Sequence, residues 1–217
     1  MPRISLIHAT PVAVDPVVAA FRANWPEAEV YNLLEDSLAP DLDSAGELDD
    51  AMTARFLRLG RYAADCGADG ILFTCSAFGA SIEAVAQALK PMPVLKPNEA
   101  MFADALGAGA KVGMIATFQP SVPSMEREFR DMAAAAGSEA SLTAVCVPEA
   151  MQALLSGDAG THNRLIADAV ERLGDQDVIL LAQFSMAQAR DAVAAKTSAP
   201  ILTSPESAVR ALQAALG

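Results

Sequence analysis

The chain has 217 residues, enough for one large α/β domain or two small lobes. Hydrophobic residues make up 53% of it and charged residues 19%, a composition that excludes intrinsic disorder. The formal net charge of −12 disfavours nucleic acid and anionic membranes as partners, because an acidic surface repels phosphate groups. We expect a cytoplasmic protein, since neither a leader peptide nor an apolar stretch of membrane-spanning length is visible.

The cysteines and histidines show no metal-binding spacing. Three cysteines without a leader peptide are typical of free thiols in a reducing compartment, and we expect Cys66 and Cys146 to be core residues. The two histidines, His8 and His162, lie far apart in the sequence, so we expect no protein-built metal site. His8 ends a predicted strand and is interpreted as a hydrogen-bonded structural residue, while His162 is predicted on a surface helix.

In chain order, short β-rich runs alternate with longer Ala-rich segments. We predict a first helix over 15–25, with Asp15 as its N-cap and Pro16 at its first position. The segments 36–48 and 148–162 are interpreted as loops. The strand and helix alternation predicts a parallel sheet covered by helices. In the first half of the chain the predicted strands are 4–9, 29–33, 70–73 and 93–95, and the further predicted helices are 48–66 and 80–89.

The second half of the chain repeats the first. The segment 111–116 (KVGMIA) matches 3–8 (RISLIH), which lies 108 positions earlier. Two further matches follow in the same order, 179–183 (ILLAQ) with 71–75 (ILFTC) and 200–206 (PILTSPE) with 93–99 (PVLKPNE). A period of this size indicates two similar α/β lobes and not a solenoid.

The repeat predicts the domain organisation. Lobe one is expected over 1–97, with a C-terminal helix over 205–217 packed back on it, and lobe two over 98–204. Because ligands of open α/β sheets bind at the carboxyl ends of the strands, we expect the active site in a cleft between the lobes.

Cys75 is the best candidate for chemistry. It lies in the segment 74–79 (TCSAFG), after an apolar run and before a predicted helix. The partial positive charge at a helix N-terminus stabilises a thiolate, so Cys75 gains reactivity without a nearby histidine. The hydroxyls of Thr74 and Ser76 flank it, and Ser76 with neighbouring N–H groups can hold a carboxylate. The alternative is a small core cysteine at a strand end; the flanking hydroxyls favour the functional interpretation.

Thr74-Cys75-Ser76 resembles the first cysteine motif of the aspartate/glutamate/hydantoin racemase superfamily, and 180–183 (LLAQ) resembles the second. This superfamily includes glutamate, aspartate and hydantoin racemases, maleate isomerase and arylmalonate decarboxylase. The resemblance spans nearly the whole chain. It implies two pseudo-symmetric lobes and a cofactor-independent isomerase of the racemase or epimerase type, in which one residue from each lobe exchanges a proton with the α-carbon.

Gln183 occupies the position of the family's second cysteine, and an amide cannot exchange a proton as a thiol does. Three alternatives follow. Cys75 acts alone and protonates an enediolate after decarboxylation of a malonate-like acid, as resemblance to arylmalonate decarboxylase implies, although the single cysteine of that enzyme belongs to the other lobe. Cys75 acts as a nucleophile, as resemblance to maleate isomerase implies. Ser185, with help, replaces the second thiol, which is the weakest alternative because an unactivated serine is a poor base.

The predicted function is proton transfer at the activated carbon of a small carboxylate or related substrate, with Cys75 and Gln183 as catalytic residues and without metal or cofactor. A non-catalytic cytoplasmic ligand-binding member of the family is the rival, and a homodimer is a family-level expectation. Thr117 corresponds to the family's substrate-holding hydroxyl loop in lobe two. The full set of predicted substrate-binding residues is Thr10, Pro11, Thr74, Ser76, Thr117, Ser121 and Ser185.

Overall fold

The computed structural model describes all residues from 1 to 217 and divides them into two compact units. The first unit comprises residues 1–97 and 208–217, and the second comprises residues 98–207. The strands of the first unit are β1 (Arg3–His8), β2 (Glu29–Leu34), β3 (Gly70–Phe73) and β4 (Val94–Leu95), and its helices are α1 (Val14–Asn24), α2 (Leu38–Ala45), α3 (Asp50–Asp65) and α4 (Gly79–Ala88).

The second unit follows the same plan. Its last helix, α11, begins in this unit, and residues 208–217 at its end belong to the first unit. The strands are β5 (Lys111–Ala116), β6 (Ser141–Cys146), β7 (Val178–Leu181) and β8 (Ile201–Thr203), and the helices are α5 (Glu99–Ala108), α6 (Val122–Ala135), α7 (Pro148–Leu155), α8 (Ala159–Asp168), α9 (Val170–Leu173), α10 (Arg190–Ala194) and α11 (Ser204–Leu216).

Each unit contains one four-stranded parallel sheet. The strand orders are β2-β1-β3-β4 and β6-β5-β7-β8, so the two sheets have the same topology. The register is also repeated, because Ile4 pairs with Gly70 in the first sheet and Val112 pairs with Val178 in the second. The predicted α/β class, with two pseudo-symmetric lobes of parallel strands flanked by helices, is confirmed. All four residues of β3 and of β7 are buried, as is typical of strands covered on both faces.

Helix α3 shows how the sequence builds one of these layers. Asp49 caps its N-terminus by accepting a hydrogen bond from the Met52 backbone N–H at 2.7 Å. Met52, Phe56 and Gly60 recur at four-residue spacing and form its buried face. Gly60 allows the close approach of α4, since a methyl group on its Cα would collide with a valine of that helix.

Several sequence expectations differ from the structure. Helix α1 begins at Val14 and not with Asp15 as N-cap, because a 3-10 turn over Pro11–Ala13 continues directly into it. The segments 36–48 and 148–162 are not loops: they contain α2, α7 and the start of α8. Helices of eight residues such as α2 and α7 are too short to show a clear hydrophobic period.

The burial of two predicted residues is also corrected. Cys66 is exposed, because it caps the end of α3 on the solvent side and does not enter the core. His162 is fully buried in α8 instead of lying on the surface, and burial lowers the pKa of its imidazole. Cys146 is only partly buried, at the end of the edge strand β6.

Candidate active site

Cys75 lies at the carboxyl end of the first sheet. It follows β3 after one intervening residue, with extended backbone (φ −119°, ψ 120°), and it precedes the 3-10 turn Ser76–Phe78 that leads into α4. Strand β3 lies next to β1, with Phe73 paired to Ile7, so the residues after both strands reach the same edge of the sheet. The strand-to-turn placement that the sequence predicts for Cys75 is therefore present.

Cys75 is half-buried, and it packs against the apolar core of the first unit. Cys75 and His8 line one small space that is too narrow to admit a water molecule. This dehydration raises the pKa of the Cys75 thiol to about 11, because burial disfavours the thiolate, and a hydrogen bond from the Ala77 backbone N–H opposes it only in part. The other residues lining the space are Ile7, Ala9, Leu38, Phe56 and Phe73.

The expected activation of Cys75 by a helix N-terminus is therefore wrong for this state of the protein. Residue Cys75 caps a single 3-10 turn, and one backbone N–H group does not offset the loss of hydration. At neutral pH the thiol is protonated. It can donate a proton as it stands, whereas it needs a change in its surroundings before it can remove one.

A chain of hydrogen bonds runs across three strands beside Cys75. The Thr74 hydroxyl lies 2.9 Å from His8 Nδ1, and Asn32 Oδ1 lies 2.9 Å from His8 Nε2. An amide oxygen only accepts, so Nε2 carries the proton and Nδ1 accepts from the Thr74 hydroxyl. Burial lowers the pKa of His8, which agrees with a neutral ring. The structural interpretation of His8 is supported, and the proton of Thr74 is directed to His8.

The remaining predicted residues of the first unit lie at the same edge. Thr10 precedes the 3-10 turn Pro11–Ala13, and its side chain makes no capping hydrogen bond. Pro11 is exposed, and Ser76 is half-buried at the start of its turn. The structure thus brings Thr10, Pro11, Thr74, Cys75 and Ser76 to the ends of the neighbouring strands β1 and β3.

Gln183 joins the two central strands of the second unit. Its side-chain oxygen accepts from the Thr117 backbone N–H at 2.8 Å, and its amide nitrogen donates to Ser121 Oγ at 3.2 Å. Ser121 in turn donates to the Phe118 carbonyl at 2.8 Å. Gln183 therefore ties the end of β7 to the loop after β5. Ser185 lies buried in the following 3-10 turn, Phe184–Ala189, at 2% exposure.

The structure brings Thr117, Ser121 and Gln183 into one hydrogen-bonded group within the second unit. The Ser121 proton is already used inside this group, so the role of Ser121 as a donor to substrate stays a prediction. So do the substrate contacts of the other candidates and the joint use of both strand ends by one substrate.

At equivalent positions of the two sheets, the first unit has polar side chains and the second has apolar ones. The polar chain Asn32–His8–Thr74 stands beside Cys75, and Thr74 N–H donates to Ile7 as part of the strand pairing. The second unit builds the same sheet without any such chain, so the backbone arrangement does not require one. The positions equivalent by register are all alanine: Ala116, Ala144 and Ala182.

Three residues of the first unit that contact the space around Cys75 or the residues beside it were not found from the sequence. Asn32 lies inside a predicted strand, and Leu38 lies in a helix that was predicted as a loop. Arg55 lies on a helix that was predicted from its apolar residues, so its polar side chain gave no signal. Only Asn32 gave a usable signal. Successive side chains of a strand point to opposite faces of the sheet, and the position of Asn32 in its strand puts it on the same face as His8.

Taken together, the architecture is that of a two-unit parallel α/β protein with a thiol at a strand end. Within that class, the chain belongs to the Asp/Glu/Hydantoin racemase family, whose model matches residues 7–212. No curated protein sequence matches the chain significantly. None of the helices combines the length and the apolar character that a membrane span requires.

Three solved structures with the same fold are distant from this chain in sequence. A glutamate racemase from Thermus thermophilus in complex with β-chloro-D-alanine superposes with a TM-score of 0.76 at 20% identity, over 99% of this chain and 80% of that one. An aspartate racemase from Picrophilus torridus gives 0.74 at 14%, over 100% and 95%. An allantoin racemase from Klebsiella pneumoniae gives 0.73 at 17%, over 99% and 87%. These similarities establish the fold.

Proposed function

We propose that this protein is a racemase-type isomerase that transfers a proton at the activated carbon of a small carboxylate or a related cyclic amide, with Cys75 as the proton-carrying group and without a cofactor. The observation that carries the proposal is the position of Cys75, directly beyond the central strand of a sheet in the racemase family fold. A thiol there meets a ligand at the edge where open α/β sheets bind their ligands.

The polar groups around Cys75 support proton transfer to or from a carboxylate-bearing carbon. Removing a proton beside a carboxylate gives an enediolate, whose developing charge is stabilised by hydrogen-bond donors placed in advance. Ser76, at the start of the turn Ser76–Phe78, is such a donor in the first unit, whereas the Ala77 N–H already donates to Cys75. In the second unit the amide nitrogen of Gln183 has two hydrogens and directs one of them to Ser121, so it can donate the other.

A second reaction, decarboxylation of a malonate-like acid, is favoured by two specific observations. The thiol of Cys75 is protonated at neutral pH, as a group that only delivers a proton must be. Gln183 takes the place of a second proton carrier, and its oxygen is held by the Thr117 N–H. Loss of CO₂ leaves an enediolate, and the S–H proton of Cys75 then passes to its carbon, after which the thiolate is reprotonated from solvent.

The test is solvent deuterium incorporation at the α-carbon, measured by NMR for wild type and Cys75→Ala over a panel of amino acids, hydantoins and malonates. We expect incorporation with at least one class and its loss in Cys75→Ala. Cys66→Ala is the matched control, because Cys66 is an exposed thiol of the same unit. CO₂ release together with incorporation identifies the decarboxylase, and incorporation without it identifies the racemase.

Binding without any exchange or turnover in the wild type would overturn the enzyme proposal in favour of a ligand-binding member of the family. Full activity in Cys75→Ala would overturn the assignment of the reacting group while leaving the reaction class in place.

A further inference from the structure

Leu38 closes one side of the space around Cys75. It is the first residue of α2, it is fully buried, and it lines the same water-free space as Cys75 and Phe56. The rest of α2 is largely exposed, and the helix packs sparsely against its unit. A short helix held by so few contacts is one of the easier elements of a fold to displace. Movement of α2 would withdraw Leu38 and open this side of the half-buried Cys75 to water or a ligand.

Arg55 of α3 fastens α2 by polar contacts at its N-terminal end. Its guanidinium donates to the Glu35 carboxylate just before α2, to Asp41 within α2 at 2.5 Å, and to Ser37 Oγ at 2.6 Å. Burial alone would raise the pKa of Glu35, but hydrogen bonds from Ser37 and Arg55 and the charge of Arg55 bring it below its ordinary value. The contacts of Arg55 with Glu35, Ser37 and Asp41 are called the clasp below. Because Glu35 is ionised at neutral pH, the clasp is formed there.

The clasp, formed by Arg55 with Glu35, Ser37 and Asp41, is joined to two residues that line the space around Cys75. The Glu35 backbone N–H donates to the His8 carbonyl at 3.0 Å, at the end of the strand next to β3. Phe56, which follows Arg55 in the sequence, lines the space around Cys75. Among the residues that line this space, His8 and Cys75 alone can titrate.

The second unit has no such clasp. Its equivalent helix, α7, packs along α8. Arg164, six residues after the N-cap Asp158 as Arg55 is six after Asp49, makes only a 3.7 Å contact with Asp168 on its own helix. The fastening is thus confined to the unit that carries the cysteine, and the shared fold does not require it.

We propose that Arg55 is a carboxylate-binding residue of the active site, held in the ligand-free protein by Glu35 and Asp41, and that a substrate carboxylate displaces these two and releases α2 from Cys75. A guanidinium matches a carboxylate with two parallel N–H groups, so a substrate carboxylate satisfies Arg55 as well as the internal ones do. Ligand entry and uncovering of the thiol thereby become one event. This inference rests on the proposed role of Cys75 and a carboxylate substrate.

The test uses two alkylating reagents that differ in a carboxylate, iodoacetate and iodoacetamide. Rates at Cys75 and at the exposed Cys66 are measured in the same full-length protein by peptide mass spectrometry at pH 8, and Cys66 is the internal reference. In Arg55→Gln we expect the iodoacetamide rate at Cys75 to rise about fivefold, since hydration lowers the pKa of the thiol. The iodoacetate-to-iodoacetamide ratio at Cys75 should fall to that of Cys66.

A double variant and a control separate the covering of Cys75 by α2 from the binding of a carboxylate by Arg55. Glu35→Gln/Asp41→Asn opens the cover and leaves Arg55 free, so the iodoacetamide rate should rise while the iodoacetate preference rises about threefold instead of falling. Arg58→Gln is the matched control, because Arg58 is exposed on the same helix and its loss changes the net charge equally. It should leave both values unchanged.

An Arg55→Gln variant that behaves as Arg58→Gln does would overturn the proposal. An opened thiol with an unchanged iodoacetate ratio would overturn the docking role of Arg55. If Arg55→Gln does not fold, the Glu35→Gln/Asp41→Asn variant decides: no rise in iodoacetate preference refutes the proposal. These readouts need no turnover, so a failure of the proposed reaction in the deuterium assay is distinguishable from a failure here.

Discussion

Replacing Gln183 tests whether it is a structural tie of the second unit. In Gln183→Ala the Thr117 backbone N–H loses its acceptor, and Thr117 is only 1% exposed, so water does not readily replace the lost oxygen. An unsatisfied buried donor costs about 1–3 kcal/mol, and the lost bond to Ser121 adds about 1 kcal/mol. We expect the free energy of unfolding to fall by about 2–4 kcal/mol.

Two further variants calibrate this value. Gln183→Glu keeps an oxygen for the Thr117 N–H and loses the donor to Ser121, so we expect a loss of about 1 kcal/mol. Gln188→Ala removes an exposed glutamine of the same 3-10 turn, whose amide donates to the Ser185 carbonyl at 2.9 Å, and should cost about 0.5 kcal/mol or less.

The measurement is urea unfolding followed by far-UV circular dichroism, since the sole tryptophan, Trp25, lies in the first unit and does not report on the second. Hydrogen exchange of the Thr117 amide adds a local readout and should accelerate in Gln183→Ala. Equal stability of Gln183→Ala and Gln188→Ala, with unchanged protection of the Thr117 amide, would rule out a structural role for Gln183.

Three further predictions follow from burial and packing. The alkylation rate of Cys75 in the wild type should increase with pH, with the midpoint of the increase at about 11. Cys66, which is exposed, should react faster than Cys75 at every pH below that midpoint. Because burial lowers the folded-state pKa of His8 from 6.5, the unfolded chain binds the proton first, so stability is full above pH 6.5 and declines as the pH falls below it; a His8→Asn variant should show a shallower acid decline in urea melts. Gly60→Ala should destabilise by about 1–3 kcal/mol through overpacking against α4, whereas Gly107→Ala, on a helix with open space around it, should stabilise by about 0.5–1 kcal/mol; equal unfolding temperatures for the two would contradict the packing argument.

The sheets were predictable from the sequence because their signal is local and repeated. The apolar runs 70–73 and 178–181 are strands buried on both faces, and the offset of 108 positions between the halves reappears in the strand register. Helix α2 was not predictable in this way. Leu38 is its only fully buried residue, and its polar fastening comes from Arg55, which lies outside the helix, so no periodicity marks it.

The candidate site was predictable in its positions and less so in its energetics. Strand ends follow from the repeat, and they place Cys75 and Gln183 correctly with respect to β3 and β7. The state of the thiol depends on what covers it, and the cover comes from Leu38 and Phe56, which no local motif connects to Cys75. The pKa of a buried group is set by such tertiary contacts, so the sequence led to the wrong direction for the shift.

The asymmetry between the units bears on what a second thiol would do. In Gln183→Cys the Thr117 N–H is released from the glutamine oxygen and becomes available to the new sulfur, an arrangement that favours a thiolate. If the missing thiol is what separates this chain from two-thiol racemases, the variant should interconvert enantiomers of a substrate on which the wild type exchanges the α-proton. Chiral chromatography of the product in deuterated water measures this, with Gln183→Ser as the control that lacks a thiol. A reactive thiol at position 183 without interconversion of the enantiomers would show that this chain differs from two-thiol racemases in more than the missing thiol. The alanines at 116, 144 and 182, where the first unit has its polar chain, would then be the next residues to exchange.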